Sequence, residues 1–268
     1  MFDLTWSIFI FGFGAIIGSF LNVVIFRYQT GLSITCGKSI CLSCTKKLSW
    51  LELVPIFSFL AQKGRCRNCL SKISWQYPAV ELATACLFLA TYLHLGGLIG
   101  METNLLKFLL TIFIFCLLIV IAVYDLRHKI IPDTWSYSLA VLGFVLTPLL
   151  LYFASLTLPW YEWVSGPLVA SPFALMFLVS RGTWMGLGDA KLALGLGWAL
   201  GLSLGISAII WGFWLGAIYG LVIMALGLKY KGKKITIKSE IPFAPFLILG
   251  WLLVYFFGWD LIHLNVFL

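Results

Sequence analysis

The chain has 268 residues, of which 62% are hydrophobic and only 10% charged, with a formal net charge of +8. Soluble domains carry about a quarter charged residues, so this composition excludes a water-soluble globular protein and describes an all-α polytopic membrane protein. A positive balance in a soluble protein would suggest a nucleic-acid partner; here the basic residues lie between apolar runs and act as a topology signal, with no nucleic acid implied.

A helical span needs about 20 mostly apolar residues. Eight stretches qualify: 4–26, 78–96, 107–125, 134–154, 163–180, 187–203, 206–228 and 243–259. The first has no basic residue ahead of its apolar core and is followed by Arg27, so it reads as a retained helix rather than a signal peptide. With the amino terminus outside, Arg27, Lys38, Lys46, Lys47, Lys63, Arg65, Arg67 and Lys72 fall in the first inner loop. Arg127 and Lys129 fall in the second, Arg181 and Lys191 in the third, and Lys229, Lys231, Lys233, Lys234 and Lys238 in the fourth. Only Lys107 is left outside. That asymmetry favours eight spans with both termini on the outer face, the basic excess adding contact with anionic membrane lipids. The chain then divides into a first transmembrane helix (1–26), an inner domain (27–77) and a transmembrane domain (78–268).

Gly18-Ser19-Phe20-Leu21-Asn22 puts small and polar residues in the inner half of the first span, a pattern for close helix packing or for a site. The loop that follows holds Cys41-Leu42-Ser43-Cys44 and Cys66-Arg67-Asn68-Cys69, two Cys-x-x-Cys pairs 21 residues apart. Each pair offers two thiolates to one tetrahedral ion, and the reducing inner side disfavours a disulfide, so zinc is the expected occupant. A polar loop poor in large apolar side chains would take much of its folding energy from that metal. Cys36 falls outside the paired spacing, and Cys86 and Cys116 read as packing residues within spans.

Ser74-Trp75-Gln76-Tyr77-Pro78-Ala79-Val80-Glu81 opens the second span. Proline at a first helical position and an acid in the first turn suit a helix start, while an intramembrane acid beside the metal loop is also a site candidate. Asp125 ends the third apolar run, just before Leu126-Arg127-His128-Lys129-Ile130-Ile131-Pro132-Asp133. Asp189 lies in Trp184-Met185-Gly186-Leu187-Gly188-Asp189-Ala190-Lys191-Leu192, at the mouth of the sixth. A charged side chain at mid-bilayer costs roughly 3 kcal/mol, so in a chain with ten acids these two need a reason.

Pairing of either Asp with Arg127 or Lys191, or simple capping, is the structural alternative, but residues two apart on a helix do not share a face. Gly186 and Gly188 permit close backbone approach or local unwinding where a watery cavity meets the membrane. Two carboxyls in one site share a proton, so that one draws a proton from water while the other polarises a carbonyl, which is aspartyl peptide hydrolysis. Their titration belongs to the pair. Gly212, Gly216 and Gly220 form a smooth stripe for helix packing in the seventh span, and Ile241-Pro242-Phe243-Ala244-Pro245-Phe246 gives the last span a rigid start. His94 and His263 fall near the outer side and receive no role.

These motifs, in this order over nearly the whole chain, resemble the type IV prepilin leader peptidases, membrane aspartyl proteases of the Gly-x-Gly-Asp group. The likeness runs through Gly18 to Ile25, both Cys pairs, Leu48-Ser49-Trp50 with Glu52 and Pro55, Gly64, Ile73-Ser74 and Tyr77-Pro78 with Glu81. It continues through Asp125 with Ile131-Pro132, Gly186-x-Gly188-Asp189-x-Lys191-Leu192 with Gly197, and Ile241 to Phe246. The resemblance implies that Asp125 and Asp189 are catalytic, supported by Gly186, Gly188 and Lys191, and that the zinc ligands are Cys41, Cys44, Cys66 and Cys69. It implies a substrate, the basic leader of type IV prepilins or type II secretion pseudopilins, cut after a glycine at the cytoplasmic face of a bacterial inner membrane. It also implies methylation of the new amino terminus from S-adenosylmethionine, with Glu52, Gly64 and Glu81 as candidate residues. Leu42 and Ala244 depart from the family's usual proline and glycine. Competing readings are a peptidase without the methyltransferase, an ion-coupled transporter using both Asp residues, and a scaffold docking a partner through its zinc loop. Nothing in the sequence sets an oligomeric state.

Overall fold

The computed structural model describes residues 4–153, 159–227, 229–230, 233–234 and 241–262. Lys231, Lys238 and His263 lie outside the described residues, as do the last residues of the stretches predicted at 134–154 and 206–228. All eight apolar stretches are helical over most of their described length: α1 (Leu4–Arg27), α3 (Gln76–His94), α4 (Gly97–His128), α5 (Asp133–Phe153), α7 (Ser165–Ser180), α8 (Leu187–Leu200), α9 (Leu202–Ala225) and α10 (Ala244–Phe257). Among the described residues three are long and apolar enough by themselves to cross a membrane: α1, the Asn104–His128 part of α4, and α9. Asn104 leaves helical geometry (φ −127°, ψ 30°), which breaks α4 and sets the start of its long apolar part.

Short elements lie between these helices. In the first loop a 3₁₀ turn (Trp50–Leu53) precedes α2 (Phe57–Ala61); α6 (Trp160–Trp163) follows Pro159, and β1 (Lys229–Tyr230) pairs antiparallel with β2 (Lys233–Lys234). The chain folds as two compact units, Met1–Val120 and Ile121–Leu268.

In the first unit α1 and α3 run antiparallel at close range. An ideal Cβ on Gly14 would stand 2.8 Å from the Cα of Ala85, and one on Gly18 would stand 2.7 Å from the Cα of Glu81. Nearer the end of α1, the Asn22 amide donates to the Tyr77 carbonyl (3.2 Å) and accepts from Gln76 (3.4 Å). The small and polar residues of the first span therefore serve this packing, and Ile10, Phe88, Tyr92, Phe108 and Ile112 bury its apolar end.

In the second unit α8 packs on α5, α7, α9 and α10. The Trp251 indole of α10 donates to the Leu196 carbonyl of α8 (3.2 Å), and Gly212 of α9 faces Leu247 of α10 with 3.0 Å left for a Cβ. Glu162 of α6 accepts from the Leu202 amide (3.0 Å) and so caps α9. Burial pushes the Glu162 carboxyl upward, and the amide bond opposes the shift.

Candidate active site and metal centre

Asp125 sits in the last turns of α4 and is 5% exposed. Burying a carboxyl costs several kcal/mol unless it finds partners, and one partner is distant in sequence: the Ala244 amide at the start of α10 donates to Asp125 Oδ2 (3.2 Å). Tyr124 beside it meets Trp135 edge to face (5.2 Å between centroids) and lies tilted over His128 (4.4 Å), which fixes the end of α4 against the start of α5. Lys129 then turns into the left-handed region (φ 55°) and ends the helix.

Asp189 lies in the first turn of α8 and is partly exposed. Gly186 precedes it in extended geometry (φ −76°, ψ 152°), so neither glycine of the motif uses a backbone region closed to other residues. What Gly188 supplies is room: a Cβ there would stand 3.1 Å from the Cβ of Ile131, in the turn that leaves Asp125. That close seat joins the two acid-bearing segments, and the Asp189 carboxyl lies within electrostatic reach of Asp125. Lys191 turns elsewhere. Its ammonium bonds Asp133 Oδ1 (2.7 Å) and stands 5.5 Å from the centre of the Tyr137 ring, so it pairs with a carboxylate of α5 that sequence reasoning had not singled out.

In the first unit the sulfurs of Cys41, Cys44, Cys66 and Cys69 all lie within 4.8 Å of one another, and Cys41 and Cys69 are 3.8 Å apart. Zinc–thiolate bonds of about 2.3 Å in a tetrahedron place sulfurs nearly that far apart, so the four thiols fit one ion. Backbone amides of Cys44 and Ser43 pull the Cys41 thiol down to about 6, and the Ser71 hydroxyl lowers that of Cys69, so part of the set is prepared to ionise. Cys36 stays outside, its carbonyl accepting from Arg27 (3.0 Å).

The two halves of this centre are copies. Cys41 to Trp50 and Cys66 to Trp75 share the pattern Cys-x-x-Cys-x-x-Lys-(Leu/Ile)-Ser-Trp, a repeat legible in the sequence. The folds match at the same offset: Cys41 N donates to Lys46 O and Cys66 N to Ser71 O (both 2.9 Å), while Leu48 N donates to Ser39 O (2.9 Å) and Ile73 N to Gly64 O (2.8 Å). Thr45 (φ 56°) and Leu70 (φ 57°) make the same left-handed turn.

The remaining candidates have clear local partners. Gly64 (φ 66°) faces the Phe59 ring, which a Cβ would meet at 3.1 Å. Glu81 accepts from the Ile56 amide (2.7 Å). Glu52 accepts from the Ser49 amide (2.8 Å) and hydroxyl (2.9 Å), while its buried Oε1 has no hydrogen-bond partner among the described residues and has Lys46 at 3.9 Å. The loop is not poor in large apolar side chains, contrary to expectation; of its apolar residues only Phe59 and Cys66 are buried, and the rest are wholly or partly exposed.

Helices long enough to cross a membrane, a buried carboxyl with a second acid in reach, and a four-thiol cluster describe a helical membrane protein with a candidate acid pair and a candidate metal cluster. Residues 12–95 match the bacterial peptidase A24 N-terminal domain, and residues 112–221 match the type IV leader peptidase family. A Bacillus subtilis (strain 168) protein named prepilin leader peptidase/N-methyltransferase is 35% identical over 260 residues, covering 96% of each chain. One of the same name from Xanthomonas campestris pv. campestris is 33% identical over 94% of this chain and 91% of its own. A type 4 prepilin-like proteins leader peptide-processing enzyme of Escherichia coli O78:H11 is 32% identical over 88% of both. The chain belongs to the type IV leader peptidase family and is an enzyme of that family. No solved structure matches it.

Proposed function

We propose that the chain removes the basic leader from type IV prepilins or type II secretion pseudopilins and methylates the amino terminus so exposed. Asp125 and Asp189 are the hydrolytic pair. The observation that carries this reading is their joint placement: two acids 64 positions apart, one buried, within electrostatic reach and held by the Gly188–Ile131 seat.

In the reaction one carboxylate takes a proton from water as its oxygen attacks the scissile carbonyl carbon, and the protonated carboxyl hydrogen-bonds the carbonyl oxygen. Collapse of the tetrahedral intermediate breaks the carbon–nitrogen bond, and the leaving amine gains a proton from the pair. The Ala244 amide steadies Asp125 throughout, and Gly188 lets the turn that presents Asp189 seat against Ile131.

Four cysteines, Cys41, Cys44, Cys66 and Cys69, hold zinc, which ties the two knuckles of the inner domain together. S-adenosylmethionine supplies the methyl group. Its cationic end suits the buried, unbonded oxygen of Glu52, whereas Gly64 and Glu81 act by shaping and anchoring the loop. The chain is a multi-pass protein of the bacterial inner membrane with eight spans, both termini periplasmic and both chemistries facing the cytoplasm. Its parts are the first helix (1–26), the zinc domain (27–77) and the protease domain (78–268).

Purified enzyme in detergent, given a prepilin with and without S-adenosylmethionine, is tested by mass spectrometry of the product. Leader loss is expected in both cases and one added methyl only with the donor. Asp125→Asn and Asp189→Asn should each lower cleavage by about 10²- to 10⁴-fold, the usual worth of a positioned acid or base. Ordinary cutting by either variant removes that residue from the mechanism.

A further inference from the structure

Trp50, Phe57 and Trp75 of the inner loop are 74%, 73% and 73% exposed, and Leu51, Leu53 and Leu60 near them are exposed as well. On α2 the exposure is directional. Phe57 and Leu60, three residues apart, face outward, while Phe59 is buried and its ring stands 4.8 Å from that of Trp75.

One contact sets where α2 starts along the helix pair. The Ile56 amide, one residue ahead of the helix, bonds the Glu81 carboxylate (2.7 Å), and Glu81 is packed beside Gly18 of α1. Gly18 lies nine residues before the end of α1 at Arg27, roughly 13 Å at the helical rise of about 1.5 Å per residue. α1 is long and apolar enough to cross a membrane, and these contacts hold the start of α2 alongside the last turns of that apolar helix rather than beyond its end. Ile56 adopts φ 61° and ψ −54°, a strained geometry for a β-branched residue, and the Glu81 bond holds it there.

Charge selects what covers this face. Residues 27–77 carry eight basic side chains against the one acid Glu52. A basic leader peptide is repelled by such a surface, whereas an anionic phospholipid is attracted, by about 1 kcal/mol per basic residue near the headgroups. Exposed tryptophan at the start of a span is the usual mark of the membrane–water interface.

We propose that α2 is an interfacial helix whose Phe57 and Leu60 side chains enter the boundary between headgroups and acyl chains, with Lys63 and Arg65 on anionic phospholipid headgroups. This goes beyond the catalytic reading and needs only that α1 and α3 lie in the membrane. The loop is thereby a membrane-seated platform rather than a domain projecting into water.

The full chain carrying Phe57→p-benzoylphenylalanine, or the same label replacing Leu60, is placed in nanodiscs of phosphatidylglycerol and phosphatidylcholine, irradiated with and without prepilin, and analysed by mass spectrometry. A phospholipid adduct at each position is expected, unchanged by prepilin, and reduced several-fold by Lys63→Glu with Arg65→Glu. Adducts to prepilin or to a second copy, or no adduct at all, overturn the proposal. A measurement on the unlabelled chain guards against a label that disturbs folding: amide exchange across 56–61 should slow several-fold when phosphatidylglycerol replaces phosphatidylcholine, and equal exchange in the two lipids overturns it too. Cleavage assays do not enter these readouts, so failure here is separate from failure of the peptidase reading.

Discussion

Gly186 leaves open space where a side chain would stand and uses an ordinary extended backbone, whereas Gly188 is pressed against Ile131, itself stiff and buried. Alanine at 186 should therefore leave cleavage within about twofold, since nothing has to move. Alanine at 188 must push the first turn of α8 and with it Asp189. A misplacement of about 1 Å can cost 10²-fold, so a fall of about ten- to a hundredfold in kcat/KM is expected, with little change in KM. Equal effects of the two substitutions would show that the second glycine is not a spacer. The sequence flagged both glycines but not this difference, because contact with Ile131 depends on how the turn after α4 folds back.

Glu52 offers a test by pH. The Ser49 amide, then the Ser49 hydroxyl, hold its carboxyl below the ordinary carboxylate range. The unfolded chain binds that proton more tightly than the folded one, so the bonds stabilise the loop fully above the ordinary value of about 4.3. The contribution is lost as pH falls through the lowered folded value. Amide exchange over 49–53 should be faster in Glu52→Gln than in the parent at pH about 7, and this difference should fade well below pH about 4. A difference that persists in acid would mean that the charge is not what matters.

At the level of elements, the helices were legible because a membrane imposes a local rule, about 20 apolar residues in a row, that needs no knowledge of neighbours. What was not legible is how one helix completes another. The amide of Ala244 reaches Asp125 across 119 positions, and a backbone amide leaves no mark in a sequence, since any residue but proline supplies it. Likewise α6 is too short for periodicity, and its purpose is seen only in Glu162 meeting Leu202. The start of α10 is thus a support for the end of α4. Ala244→Gly keeps the amide and should keep cleavage; Ala244→Pro removes it and should lower cleavage about ten- to a hundredfold, the worth of about 1.5–3 kcal/mol for a hydrogen bond to a charged group. Circular dichroism and thermal unfolding of the proline variant separate this loss from misfolding.

Over the whole molecule, composition was enough to predict a helical membrane chain, and the spacing of the two Cys pairs was enough to predict a four-thiol cluster able to hold a metal. The division at Val120 and Ile121 was not predictable, because it falls inside an unbroken apolar stretch of α4 and reflects packing rather than composition. That division puts the four thiols in one compact unit and the two acids in the other. The thiol cluster joins two small knuckles with hardly any buried apolar surface, so the zinc proposed for it, worth about 10–16 kcal/mol in small peptide domains, would be the main term holding 41–75 together. The second unit has its own packed helices around α8 and does not draw on that term. Stripping metal with a chelator, or substituting Cys41→Ser, should therefore accelerate amide exchange across 41–75 by orders of magnitude and abolish methyl transfer. Exchange in α5, α8 and α10 should stay near its starting rate, and leader cleavage should persist. Peptide-resolved exchange followed on one sample through chelation and zinc restoration reads each of these, and parallel loosening of both units would mean that the thiol cluster supports the hydrolytic pair as well.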